Sequence, residues 1–304
     1  VIAEFILYVN MLTWPVASLG WISSMVQEAE ASQKRINEFL LTKPTIENTV
    51  TSPFDFQGSV EFKNLTFQYP VTNIKAVSNV SFHVQKGETL AIVGHTGSGK
   101  STISSLLMRQ YDAQEGSVFI DGIPLTDINL HAFRAQTGIV PQDVFLFSDT
   151  IRENVQFGIN DRQCTEEELI EACKMTHVYH NIQGFPDGFD TLLGERGVNL
   201  SGGQKQRISI ARALLKKPKL LILDDCLSAV DTETEEIILS NLEKGKEDRT
   251  TIIISHRIST IRNATKIIVI SDGEVVESGN HEALISQKGT YFDMHEQQLR
   301  QEEN

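Results

Sequence analysis

The sequence is short of cysteine and of basic residues. Its three cysteines, Cys164, Cys173 and Cys226, form no CxxC pair, which opposes a disulfide framework or a zinc ribbon and favours a reducing, cytosolic setting. The 27 basic residues are outnumbered by 40 acidic ones, so the formal net charge is −13 and a general nucleic-acid-binding surface is not expected. A length of 304 residues is enough for one large domain or two ordinary ones.

One long stretch of the chain lacks charge altogether. From Phe5 to Val26 roughly 22 residues pass without a charged side chain, and a helix rising about 1.5 Å per residue needs no more to cross a bilayer. Trp14 and Trp21 suit a membrane interface. A buried core helix or an amphipathic surface helix is the alternative, whereas no basic region or cleavage site indicates a signal peptide. Because one helix cannot form a channel, we expect the rest of a membrane domain to precede Val1.

Beyond Val26 the sequence becomes polar. QEAEASQKRINEFL has apolar residues at helical spacing among charged ones, which predicts that the helix continues into water until Lys43-Pro44 ends it. We therefore assign residues 1–43 to the end of a membrane domain. Residues 44–57, PTIENTVTSPFDFQ, are rich in Pro, Thr, Ser and Asn and are assigned to a linker. At the other end, 296–304 is a charged run typical of a solvated helix end.

From residue 58 onward the pattern is that of an α/β fold. VEFKNLTFQY (60–69) and AVSNVSFHV (76–84) alternate as half-buried strands do. From TLAIVG onward, strands alternate with helices, and the region from about Thr150 to Leu215 is rich in helix. We interpret the last segment, KIIVISDGEVVESG, as one strand. This order indicates a mainly parallel sheet covered on both faces.

A glycine-rich stretch, GHTGSGKST, lies between the strand TLAIVG and the next helix. It matches G-x-x-x-x-G-K-[ST] in the strand–loop–helix context that the motif needs. The glycines let backbone N–H groups face phosphates, Lys100 adds a charge for the β and γ oxygens, and Ser101 offers a hydroxyl to Mg²⁺. We therefore predict a nucleoside-triphosphate site formed by Gly94, His95, Thr96, Gly97, Ser98, Gly99, Lys100, Ser101 and Thr102.

Two adjacent acids follow the apolar run LLIL at 220–223. A carboxylate that follows a buried strand, in a chain with a phosphate loop, is placed to hold the water shell of a Mg²⁺ ion. Asp224 is therefore predicted to be the metal ligand. The alternative is that Asp224 only caps the turn that follows the strand.

The segment LSGGQKQR (200–207) lies between these two motifs. It resembles the signature of ATP-binding-cassette (ABC) ATPases, and further segments agree with that family in order along the chain. Tyr69 in FQYP resembles the aromatic residue that stacks on adenine, Gln142 in VPQD the Q-loop residue, Asp231 in SAVD the D-loop residue and His256 in SHR the switch histidine. Glu195 in LGERG resembles the exporter segment that faces the membrane domains.

The resemblance covers roughly residues 58–295. It implies a P-loop NTPase fold of the ABC ATPase type, with a mainly parallel core sheet, an antiparallel β subdomain and an α-helical subdomain at about 143–215, preceded by the N-terminal helix. ATP and Mg²⁺ are the implied ligands. The implied metal-binding residues are Ser101, Gln142 and Asp224, and the implied catalytic residues are Lys100, Gln142, Asp225 and His256.

The signature itself is a second place where an anion could bind. LSGGQ puts Ser201, Gly202, Gly203 and Gln204 at the start of the helical stretch QKQRISIARALLKK, where free N–H groups and the helix dipole favour negative charge. By resemblance to the family, one phosphate loop and one signature in the same chain imply a head-to-tail dimer. Each ATP would then lie between the Lys100 loop of one subunit and the Ser201 loop of the other.

The N-terminal helix indicates which members of the family the chain is similar to. A membrane helix that runs directly into the cassette, with the TIRENVQFG and LGERG segments, resembles the last transmembrane helix of an exporter half-transporter of the multidrug or lipid type. This implies a second half-transporter chain as partner, an unknown exported substrate and no nucleic acid. It also implies location in the cell (inner) membrane, with the ATPase domain in the cytoplasm.

Asp225 departs from the family pattern. The residue after the metal-binding aspartate is usually a glutamate that orients the attacking water, and aspartate is one methylene shorter. A misplacement of about 1 Å can cost on the order of 100-fold in rate. Either the chain pairs with a different half-transporter that carries the glutamate, so that its own site is slow, or it forms a homodimer in which aspartate suffices. We favour the first.

Two other functions share most of these motifs. A soluble, non-transporting ABC ATPase acting on nucleic acid or ribosomes is opposed by the acidic balance and the fused apolar helix. A regulatory cassette that binds ATP with little hydrolysis differs only at the base position.

Four possible zinc ligands lie close together in sequence, namely Cys164, Cys173, His177 and His180. They follow no standard zinc spacing, so we expect no metal there.

Overall fold

The computed structural model describes residues 1–159 and 164–302. Contacts divide the chain into two compact units, Val1–Glu47 and the remainder from Asn48. The first unit consists mainly of one helix, α1 (Ile2–Leu41). All residues of α1 are exposed except Ser18, which is half-buried. By length and composition, α1 is the one helix among the described residues that is able to cross a membrane.

The second unit contains ten strands and ten further α-helices among its described residues. The strands are β1 (Val60–Gln68), β2 (Lys75–Val84), β3 (Thr89–Val93), β4 (Glu115–Ile120), β5 (Ile123–Pro124), β6 (Thr137–Val140), β7 (Leu220–Asp224), β8 (Thr250–Ile254), β9 (Lys266–Ser271) and β10 (Glu274–Gly279). The helices are α2 (Lys100–Leu107), α3 (Leu130–Ala135), α4 (Ile151–Gln156), α5 (Glu166–Met175), α6 (Tyr179–Gln183), α7 (Gly202–Leu215), α8 (Thr232–Glu243), α9 (Ile258–Ile261), α10 (His281–Gln287) and α11 (Thr290–Glu302).

Six strands form the central sheet, in the order β10-β9-β3-β8-β7-β6. Five of them are parallel, and β10 is antiparallel to β9. Every residue of β3, β7 and β8 is buried, because helices cover both faces, and this burial explains the unbroken apolar runs in their sequences. The predicted α/β fold with a mainly parallel core sheet is confirmed.

A second, antiparallel sheet has the strand order β2-β1-β4-β5. Val60 of β1 pairs with Val84 of β2 on one side and with Ile120 of β4 on the other, and all three side chains are buried. The β1–β2 register shifts after Phe62, close to Asn64, which has φ of 46° and accepts a hydrogen bond from Ser81 on its side-chain oxygen. The predicted antiparallel β subdomain therefore corresponds to a separate sheet.

Helices α4 to α7 and the turns between them surround a core of their own. Its buried residues extend from Leu146 to Leu215, within the predicted helical subdomain at about 143–215. The capping boxes of α5 and α7 use Thr165 with Glu168 and Ser201 with Gln204. Cys173 is wholly buried in this core, and burial raises the pKa of its thiol to about 12. The Cys173 side chain therefore packs as an apolar group.

Two details of the strand prediction are wrong. KIIVISDGEVVESG is a hairpin of β9 and β10, with Asp272 and Gly273 at φ of 48° and 79° in the turn. The Asp-Gly pair is the sequence signal for such a two-residue turn. The sequence prediction also contained no strand at Thr137–Val140, where β6 forms the edge of the central sheet. A four-residue strand with a glycine is too short to show a clear hydrophobic pattern.

The second half of the predicted linker is packed against this unit. Phe56 is completely buried and lies edge-on to Phe133, with 5.8 Å between ring centroids. The side-chain amide of Gln136 donates to the Phe54 carbonyl at 2.8 Å and accepts from the Phe56 N–H at 3.1 Å. Residues 48–57 therefore lie on the second unit as an ordered segment.

We expect Phe56→Ala to destabilise the protein by about 3–5 kcal/mol, because the substitution leaves a cavity against Phe133. Urea unfolding of the intact protein measures this change. Val71→Ala, at a side chain that is 93% exposed, is the matched control and should change the free energy of unfolding by less than about 0.5 kcal/mol. Equal effects of the two substitutions would contradict the packing of residues 48–57 on this unit.

Candidate functional site

The predicted phosphate loop connects the end of β3 to the start of α2. Its glycines allow a very close approach of other backbone segments. A Cβ atom on Gly94 would lie 2.1 Å from the Ile270 carbonyl oxygen, and one on Gly99, whose φ is 101°, would lie 2.2 Å from the Ala76 carbonyl oxygen. No other residue fits at these two positions without movement of the backbone.

Lys100, the first residue of α2, folds back over this loop. Its ammonium donates to the carbonyl oxygens of Gly94 and His95 at 2.8 and 2.7 Å. Burial lowers the pKa of Lys100 below its ordinary value, and the carboxylates of Asp225 and Asp224 oppose part of that shift. The loop therefore holds a cation close to two acids, which is the charge arrangement needed to receive phosphate and a metal ion together.

Asp224, the last residue of β7, is tied to α2 by two serine hydroxyls. Ser101 donates to its Oδ1 at 3.0 Å and Ser104 donates to its Oδ2 at 2.8 Å. The residue is 5% exposed, and burial raises the pKa of this carboxyl above its ordinary value although both hydroxyls lower it. Ser104 was not predicted as a site residue. Because Ser104 comes three residues after Ser101, the two lie on the same face of the helix, and this spacing could have indicated that Ser104 is also a site residue.

Asp225 contacts two other predicted catalytic side chains. Its Oδ1 lies 2.8 Å from His256 Nδ1, and its Oδ2 accepts from the Gln142 amide at 3.2 Å. Gln142, Asp225 and His256 follow β6, β7 and β8, which are adjacent parallel strands. Because the carboxyl ends of parallel strands meet at one edge of a sheet, three residues distant in sequence become neighbours. The Asp225 backbone has φ of 47° and its N–H bonds to the Ile254 carbonyl at 2.8 Å.

Tyr69 follows β1 and lies beside the phosphate loop. Its hydroxyl is 3.1 Å from the Thr102 hydroxyl, and its ring meets the Tyr111 ring edge-on, with centroids 5.4 Å apart. The turn between β9 and β10 closes the loop from behind, because the Gly273 N–H donates to the Ser98 carbonyl at 3.2 Å. The hairpin that the sequence prediction missed therefore supports the predicted site.

These groups surround one open pocket of about 540 Å³. The predicted residues that line it are Tyr69, Thr96, Gly97, Gly99, Lys100, Ser101, Thr102, Gln142, Asp224, Asp225 and His256. Lining residues that the sequence prediction missed are Ile74, Lys75, Ala76, Ser105, Ile254, Asp272 and Gly273. Of the remaining loop residues, Gly94 and Ser98 are buried and His95 is exposed.

The signature segment lies outside this pocket. Ser201 caps α7 by accepting from the Gln204 N–H, and the Gln204 side chain accepts from the Ser201 N–H in return. Ser201 and Gly202 are exposed, while Gly203 and Gln204 are half-buried. Asp231, another predicted nucleotide-binding residue, caps α8 through the Thr234 N–H, and this hydrogen bond lowers the pKa of Asp231. The chain thus presents a second helix N-terminus that its own pocket does not use.

The signature helix is joined to the segment after β7. The Gln206 side chain accepts from the Ala229 N–H at 3.0 Å and donates to the Ser228 hydroxyl at 3.4 Å. A Cβ atom on Gly203 would lie 2.8 Å from the Ala229 carbonyl oxygen, so this contact needs a glycine. Glu195 lies exposed in a 3₁₀ turn, Glu195–Gly197, next to the exposed side chains of Leu192 and Val198.

The fold and the pocket define the chain as a P-loop nucleotide-binding protein. A glycine-rich loop leads from a buried parallel strand into a helix, with a lysine and a serine facing the acid at the end of β7. Residues 77–228, half of the chain, match the protein family described as ABC transporter. The chain belongs to this family, as its signature and its adjoining motifs predict.

Curated relatives match the chain over nearly its whole length. The multidrug resistance-like ATP-binding protein MdlA of Escherichia coli is 41% identical over 297 residues, which cover 98% of this chain and 50% of that protein. The ATP-dependent lipid A-core flippase of Haemophilus influenzae is 42% identical, with 94% and 48% coverage. Heavy metal tolerance factor 1 of Caenorhabditis elegans is 41% identical, with 98% and 37% coverage. The chain therefore spans half or less of the length of these relatives.

A solved structure has the same architecture. A bacterial Atm1-family ABC exporter with ATP bound superposes with a TM-score of 0.85 at 37% sequence identity, and the match covers 96% of this chain and 51% of that one. The predicted fold of the ABC ATPase type, preceded by an N-terminal helix, is confirmed.

We expect Ser104→Ala to lower the free energy of unfolding by about 1–3 kcal/mol, because it leaves one oxygen of the buried Asp224 carboxylate without its donor. Ser105→Ala, on the neighbouring position of the same helix, should have less than about a third of that effect. In an Asp224→Asn background the cost of Ser104→Ala should shrink, since an unpaired amide is cheaper to bury than a carboxylate. Urea unfolding of the four variants measures the coupling, and equal costs in both backgrounds would contradict it.

Proposed function

We propose that this chain is the ATP-binding portion of an exporter-type ABC half-transporter. It binds Mg-ATP at a head-to-tail dimer interface and couples ATP binding and hydrolysis to export of a substrate across a membrane. The single observation that carries the proposal is the 540 Å³ pocket, in which Lys100 from the start of α2 meets Asp224 and His256 from the ends of β7 and β8. Membership of the ABC transporter family supports the ATPase part of the proposal.

The exporter part of the proposal is supported by α1 and by the relatives. The helix is long and apolar enough to span a bilayer, and it precedes the ATPase domain in the same chain. We assign residues 1–43 to the end of a membrane domain, 44–57 to the linker and 58–295 to the ATPase domain. The segment 296–304, assigned to a polar tail and described as far as residue 302, continues α11, and its Gln298 is bonded to the ATPase domain. The protein is proposed to lie in the cell (inner) membrane, with the ATPase domain in the cytoplasm.

ATP would be held by groups that differ along its length. Tyr69 offers a ring face for adenine beside Thr102, and the backbone N–H groups of the loop before α2 face the phosphates. Lys100, which bonds to two loop carbonyls, would turn its ammonium to the β and γ oxygens. Each contact uses a group that already lines the pocket.

The acid at the end of β7 and its serine partner fit a magnesium ion. Ser101 Oγ and Asp224 Oδ1 are hard oxygen donors 3.0 Å apart, close to the roughly 2.9 Å between neighbouring ligands of an octahedral Mg²⁺ site with bonds of 2.0–2.1 Å. Gln142 is the third residue we assign to the metal. When bound, the ion would supply positive charge that offsets the negative charge of the phosphates. Ser104, bonded to the other Asp224 oxygen, fixes the direction of the carboxylate.

Hydrolysis requires a group that orients the attacking water. Asp225 occupies that position, where one carboxylate oxygen accepts from the Gln142 amide and the other lies 2.8 Å from His256 Nδ1. Its side chain is one methylene shorter than the glutamate usual in the family. We therefore propose that this chain pairs with a different half-transporter, that its own site is slow, and that its Ser201 loop completes a faster site on the partner. A homodimer with active Asp225 sites is the alternative.

We expect Lys100→Ala to weaken ATP binding by at least about tenfold, because it removes the cation that faces the phosphates. Titration of the intact protein with Mg-ATP measures the affinity. Lys244→Ala, which removes an exposed lysine of the same unit from outside the pocket, is the control and should leave the affinity within about twofold. Equal affinities of the Lys100 and Lys244 variants would contradict the assignment of the pocket.

The slow-site proposal predicts that Asp225→Glu raises the ATPase rate of the site built on this phosphate loop by about 10- to 100-fold, because the longer side chain reaches the water. The rate is measured on the intact protein with whatever subunit purifies with it. Mass spectrometry of that preparation should identify a second, non-identical half-transporter chain. Fast turnover by unsubstituted homodimers would overturn the slow-site proposal and leave the ATPase assignment intact.

A further inference from the structure

The C-terminal helix α11 reaches the loop that carries His256. The side-chain amide of Gln298 donates to the His256 carbonyl at 2.6 Å and accepts from the Ile258 N–H at 2.8 Å. Ile258 is the first residue of the short helix α9, where backbone N–H groups have no partner inside the helix. The Gln298 amide therefore provides a hydrogen-bond partner both for the Ile258 N–H at the start of α9 and for the His256 carbonyl.

Other contacts fix Ser255 and Arg257, the residues on either side of His256, and the Arg257 N–H donates to the Ser255 hydroxyl at 3.0 Å. The Ser255 N–H bonds to the Ile92 carbonyl of β3 at 3.1 Å, which ties the beginning of the loop to the central sheet. The Arg257 guanidinium donates to the Ser228 carbonyl at 2.7 Å and pairs with Glu235 at 3.2 Å. Among the described contacts, it is Gln298 that holds the backbone carbonyl of His256 itself.

The helix that carries Gln298 is firmly placed. Tyr291 and Met294 are buried, and together with Gln298 they recur at helical spacing on one face of α11. The first turn of α11 is bonded to β10, because the Glu277 carboxylate accepts from the N–H groups of Thr290 and Tyr291. The Tyr291 hydroxyl lies 2.8 Å from His281 Nδ1. Gln298 thus extends from a well-anchored helix, α11, to the loop that carries His256.

We propose that Gln298 is a positioning residue for His256. Its amide fixes the 256–258 backbone so that His256 Nδ1 stays within hydrogen-bond distance of Asp225, where the proposed hydrolysis takes place. The proposal rests on the ATPase function given above and adds a residue from the far end of the chain to it. Gln298 is outside the residues that line the pocket, so it acts on turnover and leaves ATP affinity unchanged.

Kinetics of the intact protein test this role. Gln298→Ala should lower the kcat of the site built on this phosphate loop about tenfold, since a shift of the histidine by a fraction of an ångström is enough for such a loss, while the KM of that site for ATP stays within about twofold. Gln297→Ala, at the exposed neighbouring position of the same helix, is the matched control and should leave both constants unchanged. A kcat that falls no further in Gln298→Ala than in Gln297→Ala would overturn the proposal, as would a rise in KM that accounts for the whole loss.

A second variant separates positioning from a general loss of structure. Gln298→Glu keeps the shape of the side chain and the acceptor for Ile258, but when ionised it places a carboxylate oxygen against the His256 carbonyl. Protonation restores a donor there. The kcat ratio of Gln298→Glu to the unsubstituted protein should therefore rise as pH falls from about 7.5 to 5.5, because a carboxyl facing a carbonyl titrates above its usual pKa near 4.3. The ratio for Gln298→Ala should stay flat, and parallel ratios for the two variants would overturn the proposal.

Hydrogen exchange at the Ile258 amide tests the positioning role of Gln298 without a measurement of ATP hydrolysis. The Ile258 amide should exchange at least about tenfold faster in Gln298→Ala than in Gln297→Ala, because the acceptor of its hydrogen bond is gone. If the unsubstituted protein has no ATPase activity, the proposed function fails, and unchanged exchange at Ile258 would then overturn the positioning role separately.

Discussion

A buried carboxylate holds the nucleotide pocket together. Asp224 ends β7, a wholly buried strand of the central sheet, and two serine hydroxyls of α2 bind its two oxygens, so the helix that follows the phosphate loop is fixed against β7. Burial works against the charge of this residue and raises its pKa, whereas a cation bound beside the carboxylate would favour the charged form. The serines, the loop and the acid therefore form one unit.

The remaining geometry follows from the sheet. Three parallel strands lie side by side, and each is followed within two residues by a polar side chain, Gln142, Asp225 or His256. Asp225 adopts a left-handed backbone conformation, which aspartate tolerates better than most residues, and this turn directs its carboxylate to the other two side chains. Each oxygen of the Asp225 carboxylate thus has a close partner, the Gln142 amide at 3.2 Å and His256 Nδ1 at 2.8 Å.

The sequence alone was sufficient to predict those parts of the site whose residues lie close together in the chain. The phosphate loop, the strand ending at Asp224 and the signature before α7 could be identified because glycine spacing, unbroken apolar runs and a helix cap each have a local cause. Ser104 and Gln298 could not be found in this way, because their roles depend on which elements pack together. β6 was too short to show a period, and the hairpin at Asp272 was overlooked although its Asp-Gly turn was visible. The burial of Phe56 was not predicted either, because the segment 44–57 is mostly polar and was assigned to a linker.

The signature loop and the phosphate loop of this chain belong to different places on its surface. Under the proposed head-to-tail pairing, each composite site takes one half from each subunit, so damage to Ser201 is felt at the partner's nucleotide and damage to Lys100 at the chain's own. A lesion at Ser201 and a lesion in the partner's phosphate loop would then fall on the same composite site and leave the site at Lys100 intact. Lesions at Lys100 and Ser201 of this chain together would damage both sites, although they lie in a single subunit.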